Sequence, residues 1–433
     1  MRLVNDLLIT HSVGGYPIIP LQTGKYLLLL FQPTLNDQLA AQLIDDQLVF
    51  QIESLVALNH PSFLWGTPHH ALFQRQIRIA HVSTVVFIVV QHPAIPTGTK
   101  VEWKDSHFNI RAQTELVDTM RLSLAALARQ LKIVGLANGN GGRQLGCEAA
   151  VSVLQKSDIF NSCKVPHQWV SVIEETISGR QREALNGIIA NSRNLAKATS
   201  HVIGNNEDLL VIGGDHSCAI GTWSGIASSL RPHGDIGLIW VDAHMDAHTV
   251  DSSPTGNFHG MPVAHLLGYG NDTLTKVGDD KVKIKPENMA MVGIRSYEEP
   301  ERKLLEKLGV RVFYDEEVAE RGLNTCMEEA LDIVSRNTYG YGMSIDIDGF
   351  RVQDAPAVGT PAEGGIIADE FLDFVRTHPL KDLVAVELVE FLPRFDCDKK
   401  KSERLMLDLV ESIFMKRYQE EKLPAREPQR KRV

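Results

Sequence analysis

The stretch LIWVDAHMDAHT, residues 238–249, opens with four apolar residues and then sets Asp242, His244 and Asp246 at every second position. Such an apolar run reads as a strand buried on both faces, as in parallel sheets. Alternate residues of a strand share a face, so two carboxylates and an imidazole are expected together at its end. Alone, the pattern also fits a helix cap followed by two surface groups. Two further stretches decide between these readings. SIDID, residues 344–348, closes another apolar run with Asp346 and Asp348 at the same spacing, and GGDHS, residues 213–217, ends a third with His216. Four carboxylates and two imidazoles then converge at one edge of one sheet.

Outward from these strands, the chain from residue 133 alternates apolar runs that end in polar residues, such as LLVIGGDHS, NMAMVGIR and DLVAVELVEFLP, with helically periodic segments at 301–309 and 323–336. That alternation predicts an α/β domain whose mainly parallel sheet is covered on both faces, with ligands bound beyond the carboxyl ends of the strands. Up to about residue 115 the text is strand-like and punctuated by Pro and Gly, which predicts a smaller N-terminal β-rich or α+β domain. Helical spacing over 112–132 predicts a linking helix, and the apolar face of 403–422 predicts a helix packed into the core. The expected division is an N-terminal domain of unknown role at 1–120, a main domain at 130–422 and a basic, disordered tail at 423–433.

With 433 residues, 43% hydrophobic and 23% charged, the chain has the composition of an ordinary globular protein, and no apolar run approaches the roughly 18 residues of a membrane span. The first residues make a poor signal peptide, so a cytoplasmic location is expected. Five scattered cysteines without a Cys-x-x-Cys pair argue against a disulfide framework or a zinc-thiolate site. A net charge of -10 argues against nucleic acid as a partner.

Carboxylates gathered at one sheet edge repel one another and lose hydration, so something positive must sit between them. A divalent metal answers this. Oxygen ligands with two imidazoles and no thiolate suit manganese better than zinc or copper, and carboxylates open to sharing suit a pair of ions. Water bridging two such ions ionises near neutral pH, which implies metal-assisted hydrolysis.

At this point the chain resembles the arginase (ureohydrolase) superfamily, from roughly residue 133 to 395. The resemblance is carried by GGDHSCAIG, DAHMDAH and SIDIDGF followed by APAVGTP, with HGMP and VEFLP between and after. It implies a three-layer α-β-α arginase-like fold and two Mn2+ ions. One ion would be held by His216, Asp242, Asp246 and Asp346, the other by Asp242, His244, Asp346 and Asp348, with Asp242 and Asp346 bridging. Asp246 would bind the metal-bridging hydroxide and help move its proton, His259 would shuttle a proton to the leaving amine, Glu390 would pair with the guanidinium, and Thr360 would support the site. Thr255 and Asn257 would hold an α-carboxylate and Glu298 would receive an α-amino group.

The resemblance further implies hydrolysis of L-arginine to L-ornithine and urea, and a homo-oligomer, trimer or hexamer. Two departures stand out. His248 occupies a position where arginases commonly carry Asn and would bind the α-carboxylate in its place, since a His can donate the same bond, and Phe350, Arg351 and Val352 stand where the family usually writes Asp-Pro. The alternatives are another ureohydrolase, acting on agmatine, guanidinobutyrate or formimidoylglutamate, and a catalytically silent binding relative. Against the second, every metal ligand is present. The remaining histidines, His69, His70 and His265 among them, are expected to be structural.

Overall fold

The computed structural model describes residues 130–174 and 179–418 in full and the backbone of 11–13, 16–21, 25–31, 76–82 and 85–91. The chain divides into two units, Met1–Asn109 and Ile110–Val433. In the first, strands β1 (His11–Val13), β2 (Tyr16–Leu21), β3 (Lys25–Phe31), β4 (Gln76–Val82) and β5 (Val85–Gln91) form an antiparallel sheet in the order β1-β2-β3-β5-β4. The apolar runs YLLLLF (26–31) and VVFIVV (85–90) are thus strands, β3 and β5, paired with each other. Residues 32–75 and the basic tail lie outside the described residues.

The second unit is built on eight parallel strands: β6 (Leu131–Ala137), β7 (His167–Glu174), β8 (Leu209–Ile212), β9 (Ile236–Val241), β10 (Met289–Ile294), β11 (Arg311–Tyr314), β12 (Gly340–Asp346) and β13 (Leu383–Val389). Their order is β11-β10-β9-β12-β13-β8-β6-β7. Seven described helices have eight residues or more: α1 (Ala149–Lys156), α2 (Leu185–Gly204), α3 (Ala219–Leu230), α4 (Glu299–Leu308), α5 (Leu323–Ser335), α6 (Ala368–Thr377) and α7 (Lys401–Gln419).

Strand periodicity sorts the core into two layers. Ile239 and Val241 of β9 join the cluster of α1, α5, α6 and α7, while Ile236, Leu238 and Trp240 join that of α2, α3 and α4. Helices therefore cover both faces, as the long apolar runs predict. The layer of α2 and α3 comes close because Gly342 of β12 faces the Trp223 ring of α3. A Cβ added there would stand 2.0 Å from that ring. Local signals set the helix ends. In α4 the N-cap Glu298 and Glu301 form a capping box, Pro300 sits in the first turn, and Gly309 closes the helix at φ 74°.

One expectation is corrected, and one strand is added. Leu131 and Lys132, expected in the linking helix, open β6 instead, because pairing with β7 and β8 outweighs local periodicity; 112–129 lie outside the described residues. Strand β7 carries no motif, and nothing in the sequence reading marks it. It is an edge strand, half-buried in alternation.

Candidate functional site

The three motif strands finish in the same device. Asp215 follows β8 closely and accepts the backbone N–H of Ser217 at 3.0 Å; Asp242 follows β9 and accepts that of His244 at 2.6 Å; Asp346 ends β12 and accepts that of Asp348 at 2.7 Å. Each is an aspartate turn that stops the strand and redirects the chain at the sheet edge. The convergence read from strand alternation is present, but its cause differs. Strand β9 ends at Val241, and Asp246 is aimed inward by a left-handed backbone, φ 48°. Glu390, after β13, is left-handed as well, φ 64°. Non-glycine residues are strained there, and such strain concentrates at functional sites. Gly214 before His216 admits no side chain, since a Cβ would lie 1.7 Å from the Asn138 carbonyl oxygen.

His216 Nδ1 faces three carboxylate oxygens: Asp242 Oδ2 at 3.1 Å, Asp246 Oδ2 at 3.2 Å and Asp346 Oδ2 at 3.5 Å. His244 Nδ1 faces Asp242 Oδ1 at 3.4 Å and Asp348 Oδ2 at 3.2 Å. Two ligand groups result, His216/Asp242/Asp246 and Asp242/His244/Asp348, which share Asp242. Asp346 stands beside the first group through Oδ2, its Oδ1 being taken by the Asp348 N–H. Bonds of about 2.1 Å from a common ion place neighbouring ligand atoms roughly 3.0–3.4 Å apart, the spacing seen here.

The electrostatics ask for a cation. Burial, then Asp348 and Asp242, pushes the Asp346 carboxyl well above its ordinary range. Burial followed by Asp242 lifts Asp246 to about 6. Burial opposes charge on His216 and His244, yet the surrounding aspartates raise both imidazoles well above their usual value. His216 Nδ1 is buried and makes no hydrogen bond of good geometry despite three oxygens nearby. A divalent ion satisfies the orphaned nitrogen and the crowded carboxylates together.

A supporting layer fixes these ligands, and motif reading missed it. Ser344 donates to Glu387 Oε2 at 2.6 Å, which leaves its oxygen to accept from His216 Nε2 at 2.9 Å and so turns the Nδ1 lone pair toward the aspartates. Glu387, fully buried, also accepts from Trp223 Nε1 at 3.0 Å and Cys218 Sγ at 3.4 Å. Trp240 Nε1 donates to Asp242 Oδ2 at 2.9 Å. Thr360, singled out in the sequence, donates to Asp348 Oδ2 at 3.0 Å. Strand alternation offers a signal for Ser344 and Trp240, each two residues before a ligand in the same run.

Glu390 accepts the His216 backbone N–H at 2.9 Å and the Cys147 thiol at 3.3 Å, and its Oε1 lies 3.1 Å from His259 Nδ1. Burial opposes charge on both members of the Glu390–His259 pair. Their mutual attraction outweighs it, raising His259 to about 9 and lowering Glu390. Glu390 does not line the 490 Å³ cavity that opens over the candidate metal ligands, whereas His259, Asp246, Asp346 and Thr360 do.

His248, Thr255, Asn257 and Glu298 line that same cavity. His248 Nδ1 is 3.0 Å from Ser252 Oγ, and its Nε2 is 3.0 Å from Glu298 Oε2 and 3.4 Å from Glu301 Oε2. Both ring nitrogens are therefore engaged by the protein. Asn257 Oδ1 is buried without a partner. Glu298 and its neighbour Glu299 are both exposed, but Glu299 turns to Arg302 and does not line the cavity. Residues the sequence reading passed over also line the cavity: Glu301 of the capping box, and Arg143 and Gln144 from the Gly-rich loop after β6. Phe350 is buried in the core against Phe371, Arg351 pairs with Asp354 and Val352 is exposed, so none of the three lines the cavity or displaces a candidate ligand. His265 is buried with Nδ1 at the Met261 carbonyl, a structural role.

The profile described as "Arginase family" matches residues 138–416. The arginase of Bacillus subtilis is 38% identical over 245 residues, 56% of this chain and 81% of that protein, and the arginase of Bacillus caldovelox is 31% identical over 297 residues, 66% and 98% respectively. The crystal structure of arginase from Bacillus subtilis superposes with a TM-score of 0.60 at 33% identity, covering 66% of this chain and 98% of that one. A formimidoylglutamase structure from the same species, at 19% identity and TM-score 0.55, shares the fold. Residues 1–137 lie outside the profile match. From the sheet edge, its ligand groups and these relatives, the chain belongs to the arginase family, hydrolases acting on linear amidines.

Proposed function

We propose that the protein hydrolyses L-arginine to L-ornithine and urea with two manganese ions held by His216, Asp242, His244, Asp246, Asp346 and Asp348. The observation that carries the reading is the pair of ligand groups sharing Asp242 beneath a cavity large enough for an amino acid. Oxygen-rich donors with two imidazoles favour manganese. Ions bound there supply a water of lowered pKa and polarise the substrate.

The chain's own residues account for the rest. Asp246, aimed into the cavity, takes the proton of the attacking water and carries it toward the leaving amine. His259, cationic near neutral pH beside Glu390, supplies a proton to the same amine. Glu390 orients the guanidinium once the His259 ring releases Oε1, a bidentate match of geometry. Thr255 and Asn257 serve the α-carboxylate, and Glu298 the α-amino group. One observation favours a competing substrate without a carboxylate, such as agmatine: His248, at the position where a carboxylate contact was expected, has both nitrogens engaged.

We further propose residues 1–120 as a separate domain, 130–422 as the catalytic domain and 423–433 as a basic tail. The division into two units near residue 110 supports the first boundary. A cytoplasmic homo-oligomer, trimer or hexamer, completes the proposal; cysteines left unpaired suit a reducing compartment. The deciding experiment is product analysis of the manganese-loaded protein on L-arginine, agmatine, guanidinobutyrate and formimidoylglutamate, with Asp246→Ala as control. Urea and ornithine from L-arginine, lost in the variant, support the reading. Turnover of another member alone replaces the substrate, and silence on all four defeats the proposal.

A further inference from the structure

We propose that Arg143 is a specificity-determining residue that binds the α-carboxylate of the substrate, doing the work that His248 is held back from. The proposal rests on the reading of a guanidino amino acid as substrate.

Three observations carry it. His248 has no free donor, because Ser252 takes one ring nitrogen and Glu298 the other. Its neighbour Glu298, whose carboxyl the hydrogen bond from Glu301 and the His248 contact hold below the usual range, also makes that wall anionic, which suits an α-ammonium group and repels a carboxylate. Thr255 and Asn257 offer hydrogen bonds but no charge, so an α-carboxylate held by them alone would lack a counter-ion.

Arg143 supplies that counter-ion. Among the residues lining the cavity it is the one side chain with a permanent positive charge. Its guanidinium is exposed and makes no hydrogen bond or ion pair among the described residues. The backbone beneath it is nevertheless fixed. Arg180 Nη2 donates to the Arg143 carbonyl at 3.0 Å, and the next residue, Gln144, donates from Nε2 to the Gly359 carbonyl at 3.1 Å, beside Thr360. An anchored loop with an uncommitted guanidinium is arranged to receive a planar carboxylate bidentately at little ordering cost to the main chain. The cavity then matches a zwitterion: guanidino group toward the metal ligands, ammonium toward Glu298, carboxylate toward Arg143.

The test uses the manganese-loaded full-length protein and compares wild type with Arg143→Ala and Arg143→Lys. It reads KM and kcat for L-arginine, and Ki for L-ornithine and for 1,4-diaminobutane, which is ornithine without its carboxylate. In Arg143→Ala, KM for L-arginine and Ki for L-ornithine are expected to rise about tenfold, as for loss of one charged hydrogen-bonding contact. The Ki for 1,4-diaminobutane stays put, which also reports an intact site, and Arg143→Lys recovers part of the loss by keeping the charge. Equal changes for both inhibitors, no change for either, or a fall confined to kcat would overturn the assignment. A wild-type protein that releases no urea from L-arginine would instead remove the substrate reading itself, before any variant is compared.

Discussion

The imidazole of His216 stacks on the indole of Trp240, ring centroids 4.0 Å apart and planes 8° from parallel, while the same indole donates to Asp242 Oδ2 at 2.9 Å. One strand residue thereby orients two proposed ligands, one after β8 and one after its own strand. Trp240→Phe keeps an aromatic face for His216 and deletes the donor to Asp242. We expect manganese affinity to fall about tenfold or more, the usual cost of losing an outer partner of a metal ligand. Metal titration followed by calorimetry checks this; unchanged affinity would show that Asp242 is oriented without Trp240.

Ser344→Ala leaves His216 Nε2 without an acceptor and strips one donor from the buried Glu387. A stability loss of about 1–3 kcal/mol is expected in the metal-free protein. Urea unfolding in the presence of a chelator measures it. Adding manganese should raise the melting temperature of wild type and variant alike, since an ion that binds only the folded state stabilises by mass action.

Gly214→Ala forces a methyl group to 1.7 Å from the Asn138 carbonyl oxygen. Asn138 cannot retreat freely, because its Oδ1 accepts the Gly214 N–H at 2.9 Å and its Nδ2 donates to the Asp215 carbonyl at 3.0 Å. The turn that presents His216 must shift, at a cost of more than about 3 kcal/mol. Thermal unfolding and manganese binding, measured on one preparation, should both be impaired; a variant with wild-type melting would contradict this packing.

Away from the site, Asp279 provides a pH dependence of definite sign. Burial opposes its ionisation, but Arg231, the Lys281 N–H and Lys283 outweigh burial and hold the carboxyl well below the usual range. A depressed folded-state pKa contributes stability above the unfolded value of about 3.9, and that contribution disappears as pH falls below it. The side chain is half-buried, 24% exposed, and its partners reach solvent, so screening keeps its contribution to about 1 kcal/mol. Asp279→Asn should therefore be slightly less stable than wild type at pH 7 and converge with it only as the pH falls below about 4 toward the depressed folded-state value, by urea unfolding. A gap that is constant with pH would assign the loss to geometry rather than charge.

The sequence by itself determined the parallel α/β sheet, which carboxylates and imidazoles converge at its edge, and the family. Each depends on local text, apolar runs of strand length followed by Asp, His or Glu, and those runs survive as β8, β9, β12 and β13. The tertiary structure decided what local text does not encode. Asp246 reaches the site through a left-handed backbone after the strand has ended, not through strand alternation, because the strand must stop for the aspartate turn to form. Leu131 and Lys132 joined a strand because hydrogen-bonded neighbours on both sides outweigh a helical pattern. Glu387 became a buried anchor and Arg143 a cavity residue only once distant segments were brought together. Spacing along a chain records which residues share a face, whereas a hydrogen bond between residues 128 positions apart, such as His216 to Ser344, exists only after the sheet has assembled.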